Sequence, residues 1–329
     1  MKRCKVCVLP EGFPHINFDE AGVCSLCQNR KTRAELKRLE REYRARFESL
    51  VKKVRGRGEY DVLVAYSGGK DSSYALSVFK EAYGLRVLAL TLNNSFMPHQ
   101  AFVNIRNVVE ALGVDHIILK PRFDILKKIF RQALKKSPYP AKSLERASAI
   151  CTSCIGLVKY TALKLAIEKD IPFIGFGWSP GQAPITSSVL KITPPMLRGM
   201  ENVTKRALVA MAGKGVEAYF LGERHYAKKD FPYFVHPLAF LGYDEKKIAA
   251  KMKRLGWVRP AGVDANSTNC LLNSLANEAH TARYGFHPYT LEIAELVRGG
   301  CISRAEGLAR IKSPGGKKTI DMVKKRLGI

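Results

Sequence analysis

The chain has 329 residues, enough for about two domains, and its 46% hydrophobic and 26% charged content is ordinary for a globular protein. Uninterrupted runs of about 18 apolar residues are absent, which argues against a membrane-spanning helix. The N-terminus lacks the apolar core of a signal peptide, so a cytoplasmic location is the expectation. Lys and Arg number 55 against 29 Asp and Glu, a net charge of +26 and a pI near 9.8. Such an excess attracts polyanions, nucleic acid foremost, although a lysine-rich surface serving solubility has the same composition.

The first thirty residues hold Cys4 and Cys7, then Cys24 and Cys27, two C-x-x-C knuckles separated by sixteen residues. In a cytosolic chain this spacing predicts four thiolates around one tetrahedral Zn²⁺ rather than disulfides. Pro10, Gly12, Pro14 and Gly22 mark the turns of a small ribbon. A site closed by four thiolates has no open position, so its expected role is structural or as a surface for a partner. The stretch from Cys4 to Cys27, with its F-D-E-A-G-V-C core, resembles the N-terminal ribbon of N-acetyl sugar amidotransferase-like proteins.

Residues 31–54 read as a long helix, with Leu36, Leu39, Tyr43, Phe47, Leu50 and Val54 on one apolar face. Its other face is crowded with Arg and Lys, which suits a solvated helix and a nucleic-acid-facing one equally. Gly56 and Gly58 then lead into the stretch around which the chain is organised. Residues 62–66 (V-L-V-A-Y) predict a buried strand, Ser67-Gly68-Gly69-Lys70-Asp71-Ser72 a turn, and residues 73–79 the start of a helix. Glycines let backbone N–H groups approach a phosphate, the helix start supplies free donors, and Lys70 adds a mobile charge. Asp71 would repel that phosphate unless it held Mg²⁺ or a backbone N–H. One Gly-Gly pair before the lysine distinguishes the turn from the longer G-x-x-x-x-G-K-[ST] loop.

S-G-G-K-D-S after a strand resembles the PP-loop of the N-type ATP pyrophosphatases. The resemblance implies cleavage of ATP to AMP and pyrophosphate, with the substrate activated as its adenylate. It also implies an α/β fold, a parallel doubly wound sheet of the adenine nucleotide alpha hydrolase-like type. The following pattern agrees: strands near 86–93, 116–120 and 172–176 alternate with helices near 102–112, 123–135 and 157–169. Ligands of such sheets sit at the carboxyl ends of the strands. The crevice is therefore expected at Ser67 to Ser72, around Thr91 and Asn93 as adenine contacts, and at Gly177 in the F-G-W-S-P-G-Q segment. That segment departs from the G-H-x-x-D-D of many tRNA-modifying relatives.

Cys151-Thr152-Ser153-Cys154 stands where a helix is expected to open, a position that lowers a thiol pKa. Cys270 follows far downstream in N-S-T-N-C-L. A C-x-x-C with one distant cysteine resembles the pattern of PP-loop tRNA thiolation enzymes. There the resemblance implies a 4Fe-4S cluster with one iron open to sulfur. A persulfide-relaying pair, a zinc site completed by Cys301 or His280, and free buried thiols are the other readings of the same residues.

From Ser179 onward periodicity weakens, and Pro180, Pro184, Pro194 and Pro195 suggest a long ordered loop over the site. Residues 219–233 mix aromatic and basic side chains, as base stacking would use and as ordinary packing would also produce. A helix is expected near 244–255, capped by Gly256, and Ser303 opens another through S-R-A-E. Residues 297–310 again resemble the sugar amidotransferase-like branch.

The expected organisation is a zinc ribbon (1–30), a basic helix and linker (31–58), a PP-loop ATP-binding domain (59–200) and a mostly helical C-terminal region (201–329). Expected ATP-site residues are Ser67, Gly68, Gly69, Lys70, Asp71, Ser72, Thr91, Asn93 and Gly177, with Mg²⁺. Lys70, Asp71, Cys151, Cys154 and Cys270 are the expected catalytic set. Two acceptors fit: a tRNA base thiolated with sulfur from sulfide or a donor protein, and an N-acetylated nucleotide sugar amidinated with ammonia from a partner glutaminase. A homodimer is left open.

Overall fold

The computed structural model describes residues 2–313 and 315–329. Its centre is a six-stranded sheet built from short runs of β-branched and apolar residues: β1 (Val62–Ala65), β2 (Val87–Leu92), β3 (Asp115–Leu119), β4 (Phe173–Phe176), β5 (Val189–Lys191) and β6 (Tyr233–Val235). The order is β3-β2-β1-β4-β6-β5. The ladders from β3 to β6 are parallel, and β5 pairs antiparallel to β6 at the edge. Val62 faces Val87 on one side and Phe173 on the other, so β1 is central. After β1 the chain winds to β2 and β3, then returns to β4 on the opposite flank. The gap beyond the carboxyl ends of β1 and β4 is thus a topological switch point, where open α/β sheets bind ligands.

Helices cover both faces, because parallel strands buried on two sides need apolar cover on each. On one face Val62, Val64, Val87 and Ala89 pack with α1 (Arg33–Val54, through Phe47 and Val51), α2 (Lys70–Ser77) and α3 (His99–Leu112). On the other, Leu63, Leu88, Leu90 and Ile174 pack with α4 (Phe123–Lys135), α5 (Ala149–Glu168) and α6 (Pro194–Ala212). The start of α1 is fixed by a capping box, Thr32 with Glu35.

Two expectations are corrected. The prolines at 194 and 195 do not mark a loop: they are the first positions of the 19-residue α6, where a missing N–H costs nothing. The helix expected near 157–169 begins earlier, at Ala149, with Ser148 as N-cap accepting from the Cys151 N–H. This helix, α5, is also long and apolar enough to cross a membrane. Its apolarity has another cause here, since Leu157, Ala162, Leu163 and Ala166 are fully buried between the sheet and neighbouring helices.

The remaining α-helices longer than one turn or so are α7 (Glu245–Arg254), α8 (Leu272–Tyr284), α9 (Thr290–Arg298), α10 (Arg304–Lys312) and α11 (Lys317–Leu327). Asp244 caps α7 by accepting from two backbone N–H groups, and Ser303 caps α10. The two ends of the chain share a core. Cys4, Cys7, Leu9 and Phe13 of the ribbon pack with Phe286, Leu291, Ile293 and Ile302.

Candidate active site

The turn between β1 and α2 is held in place before any ligand is considered. Gly68 has φ +72°, and an added Cβ there would strike the Ile105 side chain. Gly69 is the extended N-cap residue of α2. Ser67 and Ser72 hydroxyls meet at 3.0 Å, and Ser72 Oγ also donates to the Gly69 carbonyl at 3.0 Å. Residues from the far end of the chain complete the support: Trp257 Nε1 donates to the Gly68 carbonyl (2.9 Å), and Thr268 Oγ1 accepts from the Lys70 N–H (3.2 Å). Gly177, at the end of β4, lies against the Ser72 backbone so closely that a Cβ would overlap it.

Lys70 sits in an ion network. Its Nζ donates to Asp71 Oδ1 at 2.6 Å and to the Tyr243 hydroxyl at 3.1 Å, with Glu245 at 3.8 Å. Tyr243 OH lies 3.1 Å from carboxylate oxygens of both Asp71 and Glu245 and donates its one proton to either. Arg310 grips Glu245 with both guanidinium nitrogens and holds its carboxyl, with Lys70, below the ordinary carboxylate range despite burial. Glu292 is the exception nearby. Burial pushes it up to about 7, against the hydrogen bond from Ser179 Oγ at 3.0 Å. A phosphate arriving at Lys70 would therefore compete with Asp71 for the ammonium.

The switch-point crevice is a cavity of about 280 Å³. One wall is Ser67, Gly69, Lys70, Asp71 and Ser72; Cys151, Cys154 and Cys270 form part of another. The structure thus brings together the loop and the three cysteines, from three distant parts of the chain. Asn94 Nδ2 lies 3.4 Å from Cys270 Sγ and 4.0 Å from Cys154 Sγ, and Asn273 Nδ2 lies 3.9 Å from Cys151 Sγ. The thiol pKa expectation is corrected: burial outweighs the helix dipole and pushes Cys151 up to about 12 and Cys154 up as well.

The ribbon cysteines bury their sulfurs as two close pairs, Cys4 with Cys27 and Cys7 with Cys24, each at 3.8 Å. A tetrahedral Zn²⁺ with Zn–S bonds of about 2.3 Å needs sulfurs about 3.8 Å apart, so the four thiols fit that ion. All four lie within 4.8 Å of one another, and among the described residues no other such group of three or more metal-ligating side chains occurs. Cys151, Cys154 and Cys270 do not form such a group within 4.8 Å of one another. Of the fourth zinc ligands considered from sequence, Cys301 lines a different cavity, and His280 packs against Tyr284 and Phe286 beside Ser148, Ala149 and Ile150 rather than lining this one.

Gly177 lines the cavity as expected, but Thr91 and Asn93 do not. Thr91 is fully buried, its hydroxyl donating to the Tyr66 carbonyl and touching His116 Nε2. Asn93 Oδ1 accepts from the Ser95 N–H. Their neighbours Leu92 and Asn94, pointing the opposite way along the strand, reach the cavity instead. Sequence reasoning missed Tyr243, Glu245, Arg310, Trp257 and Thr268; of these Thr268, within N-S-T-N-C, and Arg310, at the end of the 297–310 stretch, lay in segments that stood out for other reasons. The aromatic-basic segment is largely spent on packing. Phe220 and Phe231 are buried, Arg224 pairs with Glu168, and Lys228 with Asp170.

No model of a known protein family matches the sequence. The uncharacterized protein MJ1599 of Methanocaldococcus jannaschii is 24% identical over 329 residues, covering 99% of both chains. Among solved structures, NMN synthetase of Francisella tularensis aligns with a TM-score of 0.41 and 12% identity, over 88% of this chain and 96% of that one. The U34-tRNA thiolase NcsA of Methanococcus maripaludis, solved with its 4Fe-4S cluster, aligns at 0.38 and 17%, over 100% and 89%. A predicted tRNA methyltransferase subunit of M. jannaschii aligns at 0.31 and 18%, over 59% and 74%. Similarity this distant assigns no activity. The chain's own strand order and switch point give it an open, mostly parallel doubly wound α/β fold, with the S-G-G-K-D-S turn at the carboxyl end of its central strand.

Proposed function

We propose that this chain activates an acceptor with ATP, releasing pyrophosphate and then AMP, and that the acceptor is a tRNA base that becomes thiolated. The observation that carries this reading is the single cavity with a phosphate-holding turn on one wall and three cysteines on another. The Gly68-Gly69 backbone and the Lys70 ammonium hold the β and γ phosphates, and Ser67 and Ser72 orient them. Asp71, which now pairs with Lys70, would hold a Mg²⁺ ion that neutralises phosphate charge. A carbonyl oxygen of the base attacks the α-phosphorus and pyrophosphate leaves. Sulfide then adds to the activated carbon, and AMP departs with the base's former oxygen. The net change is C=O plus ATP and H₂S to C=S plus AMP and pyrophosphate, with no electrons transferred. Catalysis is positioning and charge neutralisation, with no protein nucleophile. A cluster on Cys151, Cys154 and Cys270 would supply an open iron that holds the sulfide; Asn94 and Asn273 aim amide N–H groups at those sulfurs. The net charge of +26 suits a polyanionic acceptor.

One observation favours a second acceptor, an N-acetylated nucleotide sugar amidinated with ammonia from a partner glutaminase. The two segments that resemble that branch, at opposite ends of the chain, meet: Arg304 donates to the Cys4 and Cys7 carbonyls at 2.9 Å. Anaerobic purification with iron and sulfide analysis decides between them. Iron, acid-labile sulfide and tRNA-dependent pyrophosphate release support thiolation. A protein that stays iron-free after reconstitution overturns it.

A further inference from the structure

A second cavity, of about 340 Å³, adjoins the loop at Tyr243. Its walls come from distant parts of the chain: the contiguous stretch from the ribbon's end into α1, Arg146, the loop after β4, Ala239 with Tyr243, and the end of α9. Leu26, Leu36, Pro184 and Ile185 give it apolar surface. Arg30, Lys31 and Arg146 line it too; all three are exposed, and none has an ion-pair partner among the described residues. Two acids line it as well: Glu40 is half-buried, and Glu295, whose side chain is 39% exposed, pairs with Arg298, whose side chain is only 5% exposed. Arg298 also donates to Cys7 Sγ at 3.5 Å, so the ribbon's metal knuckle is fastened to this cavity.

This distribution selects a ligand. The exposed cations attract an anion, while half-buried Glu40 repels one and accepts N–H or O–H donors. The apolar walls fit a flat, weakly polar body. We propose that the cavity seats one nucleotide of the acceptor, with its base or sugar inside and its phosphate on Arg30, Lys31 and Arg146. RNA and a nucleotide sugar both present that unit. Tyr243 joins the cavity to the reaction: it lines this cavity, and its hydroxyl lies 3.1 Å from Lys70 Nζ. The role as an acceptor site rests on the ATP-activating reading above; the capacity to bind a nucleotide does not.

The test uses the full-length, metal-replete protein with two probes, bulk tRNA and UDP-N-acetylglucosamine, and ATP affinity is measured on the same samples. Two variants perturb the cavity away from the loop: the double charge reversal Arg30→Glu with Arg146→Glu, and the neutral Leu36→Trp, which fills it. Circular dichroism checks that each folds. One probe is expected to bind the wild type, and each variant should weaken it at least about tenfold while ATP affinity stays the same. A steep fall with salt, reduced in the charge-reversed protein, identifies the polyanion as the source; a shallow one identifies the nucleotide sugar. Weakening by charge reversal without any effect of Leu36→Trp means attraction to the basic surface alone and overturns the proposal, as does binding of neither probe. Loss of ATP binding in the wild type with the probe retained would refute the activation reading and leave this site standing.

Discussion

Gly177→Ala tests the packing of the candidate ATP site directly. A Cβ at this position would overlap the backbone of Ser72 and the carbonyl carbon of Asp71, main-chain atoms of the first turn of α2. Main chain has no rotamer with which to give way, so the turn or the end of β4 must move. Overpacking of this kind costs about 1–3 kcal/mol. In a chain of this size that corresponds to a melting-temperature loss of roughly 2–6 °C. The functional loss should be larger in proportion. The displaced Ser72 main chain follows directly on the turn proposed to face the phosphates, so its shift misaligns those donors; a hydrogen bond to a charged group contributes about 1.5–3 kcal/mol, hence roughly ten- to hundredfold weaker ATP binding. Gly199→Ala is the control. Gly199 is exposed in mid-α6, and nothing lies within 4 Å of an added Cβ. Removing a mid-helix glycine should stabilise by about 1 kcal/mol without touching ATP affinity. Thermal denaturation and an ATP isotherm on both variants settle the matter. Wild-type melting and wild-type ATP affinity in Gly177→Ala would refute the close approach of β4 to the loop.

Three further outcomes follow from the same geometry. Lys70→Met should weaken ATP binding at least about tenfold by isothermal titration, with folding intact by circular dichroism, since Asp71 keeps the Tyr243 hydroxyl as partner. Cys4→Ser, or chelation of the wild type, should lower bound zinc and the melting temperature together, because the buried ribbon shares a core with α9 and α10; unchanged melting with zinc gone would refute a structural metal. His236 is 3% exposed and stacked on Trp178 at 4.6 Å, and burial pushes its pKa down from 6.5 to about 3. The unfolded chain takes up a proton in that window and the folded one does not. Its stabilisation is therefore full above about pH 6.5 and is lost as pH falls toward about 3. Urea midpoints against pH should fall less steeply in His236→Asn than in the wild type.

Much of the fold was legible because its signals are contiguous. Strand, turn and helix start follow one another without interruption from Val62 to Ser77, and each restricts the backbone in its own way. The errors share a cause, competition from tertiary context. Cys151-Thr152-Ser153-Cys154 reads as a polar opening, yet Ser153 and its flanking Ala149 and Ile150 are buried, and the helix starts before them. Pro194-Pro195 reads as a breaker, although helix starts are where proline is welcome. Thr91 was chosen over Asn94 because β2 is buried on both faces, so its apolar run carries no alternation to show which residues point at the crevice. Tyr243 lies 172 residues from Asp71 and meets it only through the fold, a contact that no local pattern encodes.

The far end of the chain is part of the site rather than an appendage to it. Lys70 would be a mobile lysine at a helix start if only the first half of the sheet were present. Its position is set by Tyr243 and Glu245, Glu245 by Arg310 of α10, and α10 is anchored to the ribbon through Arg304 and the Cys4 and Cys7 carbonyls. A continuous series of contacts therefore runs from the four-cysteine knuckle to the loop lysine, using charge-assisted hydrogen bonds at each end. Such bonds fix direction as well as distance, and a bidentate Arg310–Glu245 pair allows little rotation. Orientation of a phosphate-binding lysine to within a fraction of an ångström is what positional catalysis requires. The ribbon contributes to this site without touching it: by holding α10 it holds Arg310, and by donating a wall through Leu26 and Arg30 it shapes the neighbouring cavity.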